Sequence, residues 1–295
     1  ELGPFALQAL AGLLSLAGLL ALSGALIGRI YTGELALAPA RSRAAGPARM
    51  PLPGRLGALV EKDLRLAWRE PALKAVMLFG LVSPLLFLYF IAQFSRGASP
   101  ASVLLLATFV GLGSFGTNAF GLERRGLALL LSFPIERWKV LVGKNALGLL
   151  FRLPGLLTLL MAGVLMAPPS YLPAALPIAL ATLAIAAGFD NLISIWFPIP
   201  VPAPGRNPYA ASSGGRGLGA ALLSMLMLSL ALLCSAPMTF LAWFPLLYGA
   251  PWLWLVTLPV ALAGAAGVYA LLVGAAAGQL ERREPELLAR VLGEE

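Results

Sequence analysis

Seven apolar stretches, each long enough to cross a bilayer as a helix, dominate this chain: near residues 4–28, 72–94, 101–121, 147–166, 174–197, 218–243 and 252–279. A hydrocarbon core of about 30 Å is spanned by about 20 apolar residues in a helix, and the backbone polar groups of such a segment have to be satisfied within it. The pattern predicts an all-α, polytopic membrane helix bundle with about seven transmembrane helices. Composition agrees, because 59% hydrophobic residues against 12% charged ones leaves too little polar surface for a soluble domain. Pro84, Pro154, Pro177, Pro237 and Pro259 fall inside these stretches. They predict kinks, not boundaries, since neighbouring helices re-satisfy the freed carbonyls.

The basic residues orient the bundle. All of the 21 Lys and Arg residues except Arg96 fall in alternate gaps, at 29–74, 124–152, 206–216 and the tail from Arg282. Positive charge beside a span resists translocation, so these gaps are cytoplasmic, and the loops near 95–100, 167–173 and 244–251 face outside. The net charge of +8 is thereby explained by topology and by anionic inner-leaflet lipid, and no nucleic-acid partner is expected. A single cysteine, Cys234, and no histidine leave no disulfide framework and no ligand set for metal or redox chemistry. The first span enters from outside with no basic n-region or cleavage site before it, which points to further spans upstream in a longer chain.

Two cytoplasmic stretches carry more than topology. Residues 29–55 form a linker rich in Pro, Gly, Ala and Arg with no apolar period, hence no face to bury. Over 56–70, Leu56, Val60, Leu64, Ala67 and Trp68 recur at helical spacing with Glu61, Lys62, Arg65 and Arg69 opposite, until Pro71 interrupts. Such a helix lies along the inner membrane surface with Trp68 at headgroup depth. Between the third and fourth spans, Ser132 is a candidate N-cap and Pro134 fits the first turn of a short helix in which Ile135, Trp138, Leu141 and Val142 share a face. That face needs a cover, either lipid or a soluble protein, and periodicity leaves both open.

These motifs are met in a familiar order. Lys62-Asp63-Leu64-Arg65, Glu123-Arg124-Arg125-Gly126, a Leu-rich turn, Pro134-Ile135 and Gly143-Lys144 together resemble the permeases of ABC-2 type transporters over roughly residues 54–283. The resemblance implies an interfacial elbow helix, carrying Lys62, Asp63, Leu64, Arg65 and Trp68, ahead of six spans. It also implies a coupling element in the first cytoplasmic loop, with Glu123, Arg124, Gly126, Pro134, Ile135, Trp138, Gly143 and Lys144 as its residues. The implied partners are cytoplasmic ABC ATPase subunits and a second permease half, in the same longer chain or as a homodimer. ATP would be used by the partner, with no cofactor in this chain, in the plasma membrane of a bacterium or archaeon. The division is then 1–28, the last span of an upstream half; 29–55, linker; 56–283, the six-span unit; and 284–295, a cytoplasmic tail. Gly24 to Ile30 and Gly274 to Leu280 are similar inner ends of the first and last spans, as two joined halves would have. The loop at 198–217 is longer than the family pattern, which leaves the subfamily and substrate open.

Inside the spans the one acidic residue is Asp190, beside Asn191, and Arg152 enters the neighbouring span at similar depth. A charge at the centre of a membrane helix costs about 2.5–3.5 kcal/mol. Pairing of Asp190 with Arg152 is the expected answer, and a role in substrate passage is the alternative. Enzyme signatures are missing: Gly143-Lys144 lacks the rest of a phosphate loop, and no paired-carboxylate, His-Glu-x-x-His or Gly-x-Ser-x-Gly motif occurs. The expected function is the permease of an ATP-driven exporter, not an enzyme. An ion-coupled secondary transporter and a membrane-embedded lipid-modifying enzyme are the alternatives.

Overall fold

The computed structural model describes residues 54–69, 100–112, 118–123, 126–166, 172–199 and 216–292, with single helical positions at 17, 18, 21, 25, 82, 85, 86 and 89. The linker, Arg124, the long loop after Ile199 and most of the first two expected spans, Pro84 included, lie outside the described residues.

Among the described residues every regular element is helical. The α-helices are α1 (Gly54–Arg69), α2 (Pro100–Leu112), α3 (Gly126–Ser132), α4 (Arg137–Met166), α5 (Leu172–Trp196), α6 (Arg216–Leu247) and α7 (Trp254–Leu292). Four of them, α4 to α7, are long and apolar enough to cross a membrane. The fold is a polytopic membrane helix bundle. Pro154, Pro177, Pro237 and Pro259 all lie inside continuous helices, as do Pro245 and Pro285.

Helix α5 is the axis, packed against α2, α4, α6 and α7. In lipid, close packing rather than escape from water holds helices together, and it favours small residues at crossings. Ala174, Ala175, Ala179, Ala181 and Ala186 are all buried on α5. The crossings tolerate nothing larger: a Cβ on Gly111 of α2 would stand 2.7 Å from the Ala179 carbonyl oxygen. One on Gly188 of α5 would stand 2.7 Å from Leu272 of α7.

The core has two storeys. One gathers Leu106, Leu156, Leu159, Ala174, Ala242 and Trp254, with the Trp254 indole donating to the Ala242 carbonyl at 3.0 Å. The other gathers Leu59, Phe120, Leu127, Leu141, Ile193, Leu280 and Leu287. At this second end the inner ends of the spans meet: Arg290 donates to the carbonyl of Trp196 at 2.9 Å, and Arg137 pairs with Glu284 at 2.8 Å. Residues from separate basic gaps thus sit on one side of the bundle, as the charge alternation requires. At the opposite end Tyr248 and Trp252 are exposed, the position of an interfacial aromatic belt.

Three boundaries differ from expectation. Asn118–Glu123 form a turn and a 3-10 helix, Gly121–Glu123, where the third span was expected to continue to residue 121. The expected loop helix and fourth span are one helix, α4, of 30 residues. The expected tail from 284 continues α7 to Leu292.

Candidate functional site

The inner end of α2 leads into a turn that is locked to the inner end of α5. Asn118 accepts the N–H of Ile199 through Oδ1 at 2.9 Å and donates to its carbonyl through Nδ2 at 2.9 Å. The Phe120 N–H donates to Ser194 Oγ at 3.0 Å. Gly121 makes this approach possible, since a Cβ there would lie 2.2 Å from the Ile199 carbonyl oxygen.

Helix α3 then buries Leu127, Leu130 and Leu131 and exposes Leu129. Ser132 is its last residue, and its hydroxyl donates back to the Leu129 carbonyl at 2.8 Å. It therefore caps no following helix, contrary to the N-cap expectation. Pro134 lies in the link between helices, and Glu136 is the residue whose carbonyl accepts the first bonds of α4, from Lys139 at 2.9 Å and Val140 at 3.4 Å. The expected apolar face divides. Leu141 is buried, and Ile135 and Val142 pack on the second core cluster, with Phe120, Leu127 and Leu280. Trp138 turns outward with Phe133. Trp138 Nε1 donates to Glu136 at 2.5 Å, and Lys139 Nζ lies 5.2 Å from the indole centroid. The hydrogen bonds from Lys139 and then Trp138 hold the Glu136 carboxyl below its ordinary pKa of 4.5.

Four charges that the sequence places in separate motifs meet behind this segment. Lys144 pairs with Asp63 at 3.1 Å and with Glu123, and Lys62 pairs with Asp63 at 2.9 Å and with Glu123. The Lys144, Asp63 and Glu123 side chains are 7%, 2% and 5% exposed, whereas Lys62 is 40% exposed. Two cations and two carboxylates balance, which is what buried charge demands. The elbow helix α1 crosses α4 at Gly143, where a Cβ would meet Leu59 at 3.2 Å. Arg55 of α1 also donates to the Pro134 carbonyl at 3.0 Å. Helix α1 thus holds both ends of the segment from Glu123 to Lys144.

The expected elbow and coupling residues accordingly serve different parts. Lys62, Asp63, Glu123, Gly143 and Lys144 form the joint between α1 and α4. Pro134, Trp138 and exposed Gly126 lie on the outer side. Leu64 is half-buried, and Arg65 pairs with Glu61 one turn back. The Trp68 side chain and Arg124 lie outside the described residues.

Beside the joint an open-sided pocket of about 300 Å³ is bounded by α4, α5 and α7. Its polar lining is Lys144, Asn145, Arg152, Asp190 and Tyr269, and its walls include Leu149, Leu180 and Leu183. Arg152 and Asp190, both buried, interact electrostatically here, and Arg152 Nη1 also donates to the Val110 carbonyl at 2.9 Å. Asn145 donates to Tyr269 Oη at 2.9 Å. Asp190 also lines a second cavity, of about 130 Å³, between α5 and α6. Sequence reasoning missed Arg55, Asn118, Asn145, Tyr269 and the Arg137–Glu284 pair, whose partners are all remote along the chain.

A family model described as a membrane protein of 12 TMs matches residues 3–270, and the chain belongs to that family. No curated protein and no solved structure matches it.

Proposed function

We propose that this member of the 12-TM membrane protein family is the permease of an ATP-driven exporter, in which α3 and the start of α4 dock on a separate cytoplasmic ATPase. The observation that carries this reading is the pairing of an exposed apolar set, Leu129, Phe133 and Trp138, with a rigid mount behind it. Three large exposed apolar side chains within ten residues, on a segment fixed from behind by ion pairs, suit a docking surface. Twelve spans is the number that two six-span halves make, so the family description supports a second half beside this one, in the same chain or as a second copy. The plasma membrane of a bacterium or archaeon is the proposed location.

The test is Trp138→Ala, with recovery of a cytoplasmic ABC ATPase that copurifies with the full chain measured in detergent; if none copurifies with the unaltered chain, the docking role fails. A central aromatic anchor is worth about 2 kcal/mol, roughly thirtyfold in Kd. Undiminished association, with transport-coupled hydrolysis intact, would rule out the docking role. The cavity around Arg152 and Asp190 favours a second reading, an ion-coupled transporter. That reading predicts transport driven by an imposed ion gradient without ATP.

A further inference from the structure

Of the 39 residues of α7, about 20 suffice to cross the hydrocarbon. Leu280 to Leu292 add about 20 Å beyond the last long apolar stretch, at 1.5 Å per residue. This extension carries its own buried stripe: Leu280, Leu287 and Val291, spaced by seven and four residues, enter the same core as Leu127, Leu130 and Leu131 of α3. Helices α3 and α7 touch directly. A single guanidinium nitrogen, Arg137 Nη2, donates both to Glu284 Oε2 at 2.8 Å and to the Leu131 carbonyl at 3.0 Å. It therefore ties the end of α3, the start of α4 and the extension of α7 together. Farther out, Arg290 fixes the tip to the carbonyl of Trp196 at 2.9 Å.

We propose that the cytoplasmic extension of α7, through Glu284, Leu287 and Arg290, positions the segment 126–137 and ties its movement to the last span. The brace follows from these contacts alone; what the brace is for rests on the docking role proposed above. Glu284 and Arg137 are positioning residues, since their effect on any partner passes through the set of α3 and Trp138.

Hydrogen exchange of the full chain in lipid nanodiscs, with no ATPase present, tests the brace. Glu284→Gln and Arg137→Gln each raise exchange of 126–137 about tenfold, as loss of one charge-assisted hydrogen bond predicts, while exchange in the middle of α5 stays as it was. The reversed pair, Arg137→Glu with Glu284→Arg, regains the tie between α4 and α7 but not the bond to the Leu131 carbonyl, and so restores part of the protection. Where Glu284→Gln accumulates poorly, Glu284→Asp replaces it and gives a smaller rise in the same segment. Unchanged exchange in the single variants, or a rise that the reversed pair does not reduce at all, overturns the proposal. Loss of protection without any change in ATPase binding leaves the brace standing and counts against docking by this segment. Normal protection in every variant sinks the brace alone.

Discussion

Replacing Lys144 by Met keeps most of the side-chain volume and removes its charge from between two buried carboxylates. Breaking a buried pair from one side costs about 3–5 kcal/mol, because the stranded partner keeps its desolvation penalty. Two carboxylates are stranded here, which raises the cost, but Lys62 still reaches both Asp63 and Glu123, which lowers it. The net expectation is the low end, about 3 kcal/mol. Lys62→Met removes a cation that is 40% exposed, so water replaces much of what is lost, and about 1 kcal/mol or less is expected. At roughly 1.5–2 °C per kcal/mol for a chain of this size, Lys144→Met lowers Tm by about 5–6 °C and Lys62→Met by about 2 °C at most. Thermal unfolding in one fixed detergent, followed by size-exclusion recovery, measures both. The triple variant Lys144→Met/Asp63→Asn/Glu123→Gln removes every stranded charge and recovers part of the loss. Equal losses for the two lysines, or a triple variant worse than Lys144→Met, would refute the account of a buried joint with one essential cation.

Other outcomes follow from separate parts of the bundle. Asp190→Asn and Arg152→Gln each lower folded yield by about 3 kcal/mol of stability and the double variant restores part of it; losses that simply add argue against a pair, and lost transport with intact stability assigns Asp190 to the path. Gly121→Ala pushes a methyl against both the Asn118 side chain and the Ile199 carbonyl and costs about 2–3 kcal/mol, read as a fall in Tm that Asn118→Ala relieves only in part, because the carbonyl contact stays. In a Cys234→Ser background, Tyr248→Cys reacts with an impermeant maleimide in intact cells and Ser132→Cys does not; the reverse pattern would invert the orientation of the bundle.

The elbow helix shows what was legible in the sequence. Its existence and extent followed from amphipathic spacing, but its protein-facing side did not. Leu56, Val60 and Leu64 make the apolar stripe, yet they are only half-buried, and the face against the bundle is Leu59, Asp63 and Ala67. Amphipathic spacing shows which side of a helix is apolar and not which side meets the protein, so the residue in contact can be a buried, paired aspartate. The start of α4 was hidden for a related reason. Arg137, Lys139 and Lys144 interrupt the apolar run, and a span is counted from where the run becomes unbroken, but a helix continues wherever its i to i−4 bonds continue. The α7 extension drew no reading of its own beyond a tail, although Leu280, Leu287 and Val291 carry a helical period across the charges from Glu281 to Glu286. The joint of Lys62, Asp63, Glu123 and Lys144 was visible as three motifs and not as one site. Separations of 81 residues between Asp63 and Lys144 leave no local trace.

The continuity of α4 through its crossing at Gly143 has a mechanical meaning. From Arg137 to Gly143 the rod is about 9 Å long, and from Gly143 to Met166 about 35 Å, at 1.5 Å per residue. With the fulcrum at Leu59, a shift of about 2 Å at residue 137 swings the helix at Pro154, about 16 Å beyond Gly143, by about 4 Å, and the proline sets how much of that passes further along α4. A bulky side chain at residue 143 would shift the fulcrum, and a flexible glycine pair inserted near residue 147 would turn the rod into a hinge that absorbs the stroke.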